Sequence, residues 1–233
     1  MYYYPLFYDR TYILVLIGVI FTMIVQTYMT STFAKYEKVE SKSGLTASEA
    51  CKIILNSNGI NNVAIGHVAG NLTDHYAPTK KELNLSDTTY NSRSIASIGV
   101  AAHEAGHAIQ DHKNMFLLNF QMAVIPVVNF ASQLSIPVII IGIILGVFNL
   151  VKIGIILFSA TLFYQLITLP IEFNASDNAI KTLRANGLMD EAELDGVKKV
   201  LTAAAFTYVA AAASTVLQLL RFVILAKGSR RRN

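Results

Sequence analysis

Four stretches of this sequence contain no Asp, Glu, Lys or Arg: residues 11–34, 115–151, 153–171 and 200–220. The hydrocarbon core of a bilayer is about 30 Å thick and takes roughly 20 apolar residues per helix, so each stretch supplies a span and the second exceeds the need of one. Composition agrees, since 53% of residues are hydrophobic and 15% charged, against about 25% charged in a soluble domain. These figures exclude a disordered tail, a fibrous chain and a freely soluble enzyme. The sequence predicts an integral membrane protein with four spans.

The first stretch, Tyr12 to Met29, follows the neutral pair Asp9 and Arg10 and precedes Ser31, Thr32, Phe33 and Ala34. It lacks a small-x-small cleavage site and reads as a retained anchor helix, 1–34. The single Cys51 excludes an internal disulfide and reads as a small core residue. The net charge of +4 draws on the basic cluster Arg230, Arg231 and Arg232, which suits lipid headgroups. Nothing resembles a nucleic-acid surface.

Between the first two spans lies a soluble segment, 35–114, of α+β character. Thr46 and Glu49 form a capping-box pattern ahead of Ala50, Cys51, Ile54 and Leu55, which predicts a helix over 47–57 ending at Asn58-Gly59. Alternation around Val63, Ile65 and His67, and again around Leu83 and Leu85, predicts short strands, with 72–76 as the middle one. A second helix is expected from Thr89 or Ser92 to Gln110. Its Gly99 and Gly106 each cost about 1 kcal/mol relative to Ala and call for a packing or access reason. After the third span, Pro170-Ile171-Glu172 opens a further helix up to Asn186-Gly187. Asp190 and Glu193 then cap one that leads into the last span.

His103-Glu104-Ala105-Gly106-His107 is the most informative pentad. On a helix, residues four apart share a face, so both imidazoles reach one ion while Glu104 addresses a water on it. Two neutral imidazoles and a third protein ligand leave zinc one open position for water. Glu104 is then the candidate general base, passing the proton to the leaving amine. The plainer reading makes both histidines helix-packing residues.

The third ligand must come from elsewhere. His67 and His75 remain, as does His112, which lies about 140° round the helix from His107 and faces away. Glu172 is the better candidate, being the first charge after residues 153–171, although it could simply end a span. To meet His103 it must be separated from it by an even number of crossings. Residues 115–171 therefore have to form two, the first bent at Pro126 and Pro137 or partly re-entrant.

At residues 72–76, 98–110, 168–176 and the stretch beginning at Lys199, the sequence resembles the neutral zinc metallopeptidases of the YugP type, multi-pass bacterial membrane proteins. The resemblance covers about residues 35 to 224. It implies a membrane-bound zinc endopeptidase with one catalytic zinc ion, in which His103, His107 and Glu172 are metal ligands and Glu104 is the catalytic carboxylate. It implies an α-helical multi-pass membrane protein with a small α+β zincin-like catalytic domain at the membrane surface, acting on protein or peptide substrates. More distant membrane zinc proteases share a Glu followed three residues later by Ala, as in Glu172 and Ala175, but carry Asp where Ser176 stands here. Asn174 or Asp177 is a candidate to orient a ligand in its place.

The stretch 72–76 could supply the oxyanion partner through His75 or Tyr76, with Asp74 orienting a neighbour, or could serve packing and turn roles. Two other functions compete. A site-2-type intramembrane protease would use Asp195 of Leu194-Asp195-Gly196, though the charges around Asp195 and around the pentad argue for a membrane surface. A catalytically inactive zinc-binding membrane protein would not need Glu104. The expected plan is an anchor to 34, a catalytic segment 35–114, a two-crossing hairpin 115–171 and surface helices 172–199. A final span 200–226 and a basic tail 227–233 complete it. Analogy with related membrane zinc proteases assigns the site to the cytoplasmic side of the cell membrane.

Overall fold

The computed structural model describes residues 10–230; Arg231 and Arg232 of the basic tail lie outside them. In chain order the elements are α1 (Tyr12–Tyr36), α2 (Ala47–Ser57), β1 (Ala64–Val68), β2 (His75–Ala77), β3 (Glu82–Ser86), α3 (Ile95–His112), α4 (Phe116–Ile144), α5 (Phe148–Ala185) and α6 (Glu191–Arg230). Helices α1, α4, α5 and α6 are long and apolar enough to cross a membrane. The chain divides into two units, with the boundaries falling inside helices.

One unit takes the chain up to Gln26, Phe120–Leu169 and everything from Thr207. In hydrocarbon there is little hydrophobic drive between helices, so small residues that admit close backbone approach do the packing. Gly18 of α1 sits against Ser214 of α6, whose hydroxyl donates to the Gly18 carbonyl at 3.1 Å. Gly154 of α5 faces the backbone of Ile139 and Ser135 of α4. The reversal between α4 and α5 passes through Gly146 at φ +68, a left-handed conformation suited to glycine. Gln121 Nε2 donates to Thr168 Oγ1 at 2.8 Å, joining α4 to α5.

The other unit takes Thr27–Asn119 and Pro170–Phe206. Its three-stranded sheet has the order β1-β3-β2, with β1 parallel and β2 antiparallel to β3. The second strand of the chain is therefore an edge strand, and it begins at His75 rather than Leu72. Alternation turns Leu83 and Leu85 inward, into a core with Cys51, Ile54, Ile98, Ile109 and Leu183. Each such large side chain contributes about 1.5–3 kcal/mol. Asp74 closes the end of the sheet by accepting from Ser86 N, Ser86 Oγ and Thr89 Oγ1.

Helix starts follow the polar signals in the sequence. Thr46 and Glu49 exchange capping bonds at α2, and Asp190 and Glu193 do so at α6. The start of α3 falls at Ile95, later than Thr89 or Ser92, because Ser94 takes the cap and accepts from Ser97 N. α5 differs from expectation more substantially. It does not open at Pro170 but runs unbroken through it, so that Glu172 lies well inside a helix. Proline has a helix-compatible φ and removes only one rung of the ladder, and polar groups around a long apolar helix can absorb that loss.

The glycines of α3 have packing reasons. A Cβ at Gly99 would meet the Val197 side chain of α6 at 2.8 Å, and one at Gly106 would run into the Ala175 carbonyl oxygen of α5. The first obstacle is a side chain, which can turn aside. The second is helix backbone, which cannot. Gly106→Val is expected to destabilise the fold by about 1–3 kcal/mol, measured as a lower thermal midpoint in detergent, whereas Gly99→Ala should cost less.

Candidate active site

The pentad lies in the second half of α3, a helix with no internal proline and with a buried face made almost wholly of Ala, Gly, Ser and Ile. Successive turns put His103, His107 and Gln110 on the side that meets α5. Glu104 and Asp111 meet β2 instead.

From α5, the Glu172 carboxylate reaches both rings. Its Oε2 is 3.2 Å from His103 Nε2 and 3.7 Å from His107 Nε2. Tetrahedral zinc with bonds of about 2.0–2.1 Å holds its donors roughly 3.3 Å apart. Among the described residues, these three are the group of His, Cys, Asp or Glu side chains able to hold a metal ion.

The ring orientations come from polar groups behind them. Gln110, fully buried, donates through Nε2 to the Ile171 carbonyl at 2.7 Å and to Asn174 Oδ1 at 3.0 Å. Two acceptors on one end fix the amide, so its Oε1 faces His107 Nδ1 at 3.0 Å and accepts from it. His107 Nε2 is left with its lone pair towards Glu172. Ser176 Oγ lies 3.2 Å from His103 Nδ1, within reach to accept from it when that ring carries its proton on Nδ1.

With both rings neutral and their protons on Nδ1, two imidazole lone pairs and a carboxylate oxygen converge on one point and repel each other unless a metal ion or a further proton sits among them. The electrostatics of His107 say the same. Burial pulls the ring's pKa down, yet the hydrogen bond to Glu172 and the charges of Glu104 and Glu172 outweigh it and carry the group up to about 9. A divalent ion with nitrogen and oxygen ligands meets this demand.

Glu104 is buried beside the cluster, and its Oε2 accepts from the backbone N–H of Tyr76 at 2.9 Å. Other residues picked out by the sequence stand elsewhere. His75 is exposed and engages the Thr73 carbonyl and Asn84. The Tyr76 hydroxyl donates to Asp111. His67 pairs with Asp87, Asp177 with Lys181, and Asp195 with Lys199 one turn along α6, with more than half of the Asp195 side chain exposed. None of these joins the three-residue cluster. Cys51 is buried, and desolvation, helped by the nearby Glu104 charge, pushes its thiol pKa far up.

Sequence reasoning passed over Gln110. Its signal was the three-residue spacing from His107, which returns a side chain to the same helix face. Asn174, by contrast, was a candidate orienting residue, and it acts on His107 through Gln110.

Comparison with known proteins agrees with this geometry. The family described as "Putative neutral zinc metallopeptidase" matches residues 11–227. The Bacillus subtilis (strain 168) protein named "Putative membrane protease YugP" is 47% identical over 203 residues, covering 87% of this chain and 90% of that protein. No solved structure matches the chain. With a family match over nearly its whole length, a His-His-Glu cluster able to hold a metal ion and four helices fit to cross a membrane, this chain belongs to the neutral zinc metallopeptidase family.

Proposed function

We propose that this protein is a membrane endopeptidase that holds one zinc ion with His103, His107 and Glu172 and hydrolyses peptide bonds with Glu104 as general base. The observation that carries the reading is the convergence of three donors on one point, with a buried carboxylate supplied by the residue next to the first of them. When bound, zinc lowers the pKa of a coordinated water towards neutrality and polarises the scissile carbonyl.

The chain's own groups do the rest. Tyr76 N–H holds Glu104 Oε2, so Oε1 is the oxygen that takes the water proton and later releases it to the leaving amine. Gln110 keeps the His107 Nδ1 proton in place, which leaves that ring's Nε2 for the metal, and Ser176 accepts the proton on His103 Nδ1 when the metal takes the Nε2 of that ring. The Tyr76 N–H points away from β3 and is taken by Glu104, which leaves the Tyr76 carbonyl on that edge of β2 to accept from an extended peptide. On this reading, segments 35–114 and 172–199 share one side of the membrane.

Glu104→Gln in the full chain is expected to retain about one zinc per chain while peptide hydrolysis falls by at least 100-fold. Equal activity of this variant would reject Glu104 as the base. Glu172→Ala should lose the metal, read by elemental analysis after dialysis, whereas Asp195→Ala should keep it. Gln110→Leu removes the acceptor at His107 Nδ1, and zinc affinity, measured by competition with a chromogenic chelator, should weaken by about 10–100-fold.

A further inference from the structure

The side chains of Tyr76, Lys81 and Asp111 form a group to which the proposed reaction gives no part. Tyr76 lies lengthwise along α3. Its backbone N–H donates to Glu104 and its hydroxyl to Asp111 Oδ2, residues seven apart and so about 10 Å along the helix axis. Lys81, in the turn that leads into β3, donates to the same Asp111 oxygen. The Asp111 side chain is 11% exposed and Lys81 43%. Burial and the bond to Asp111 push the Tyr76 phenol above its ordinary pKa, so it stays a donor. Lys81 also adopts φ +54, a left-handed conformation seldom used by residues other than glycine.

The fastening meets a mechanical need. β2 is three residues long and has a strand on one side only. Such a strand slips or frays easily, and a slip of one residue turns every N–H to the opposite edge. Glu104 would then lose its donor. A tyrosine tied to α3 at both ends prevents the slip.

We propose that Asp111 is a positioning residue for the peptidase reaction: with Lys81 it anchors the Tyr76 hydroxyl, and so holds the Tyr76 N–H on Glu104 and the β2 edge in register for an extended peptide. The inference rests on Glu104 being the base.

The test uses the full zinc-loaded chain in detergent, with Asp111→Ala, Tyr76→Phe and the double variant, and casein as the probe substrate. Zinc content stays at about one per chain, and kcat falls by about tenfold in each single variant. The double variant falls no further, because residues acting as one unit are not additive. Hydrogen exchange across 74–77 quickens in both single variants and stays unchanged in Lys80→Ala. If Asp111→Ala does not fold, Tyr76→Phe, which deletes only one hydroxyl, decides by the same two readouts. Unchanged exchange with unchanged kcat, additive losses, or loss of zinc would overturn the inference while an inactive Glu104→Gln left the mechanism standing. A Glu104→Gln variant as active as the parent would instead overturn the mechanism, and the positioning role with it.

Discussion

A carboxylate on one helix can close on two imidazoles of another only if the two backbones nearly touch. In this protein they do so at Gly106, whose missing side chain admits the Ala175 carbonyl of α5. The position is not arbitrary. Gly106 lies between the two histidines, and Ala175 lies about one turn beyond Glu172, so a single backbone contact sets the register of all three donors. The same approach lets Gln110 reach the Ile171 carbonyl and Asn174, which a wider spacing would leave to water. Packing, ligand geometry and ring tautomer thus share one cause.

Charge completes the account. Glu104 and Glu172 are both buried and the charges of both act on His107, and in a poorly polarisable interior two carboxylates without a counter-charge are costly. Neutral imidazoles do not offset them. A divalent cation does, and the upward displacement of the His107 pKa expresses the same demand through a proton. The second face of α3 handles Glu104 differently, with a backbone N–H in place of a cation. On the proposed mechanism one carboxylate is thereby committed to coordination, and the other keeps an oxygen for proton transfer.

Much of this was legible in the residues. The charge-free stretches correspond to four helices, and the capping boxes at Thr46 and Asp190 mark helix starts at Ala47 and Glu191. The i, i+4 spacing of His103 and His107 indicated a shared helix face, and Glu172 stood out as the first charge after an apolar run. What escaped depended on tertiary context. Pro170 reads locally as a helix start, yet it is passed through because residues on both sides are already committed to one helix. Alternation says that His75 and Tyr76 face opposite ways, but not which of them meets α3; only the face of the sheet that α3 covers decides that. Gln110 is an unremarkable letter until the partners of its amide are known.

The donor set contains nitrogen and oxygen alone, and the chain's one thiol is sealed in the core far from ionisation. Thiolate-bound zinc is released by oxidants, and exposed cysteines near such sites couple metal content to the glutathione balance of a compartment. Neither route exists for this cluster. With zinc as the proposed metal, occupancy is set by proton and ion concentrations and not by redox poise, and the proposed chemistry suits the reducing cytosol and the oxidising space outside the cell alike.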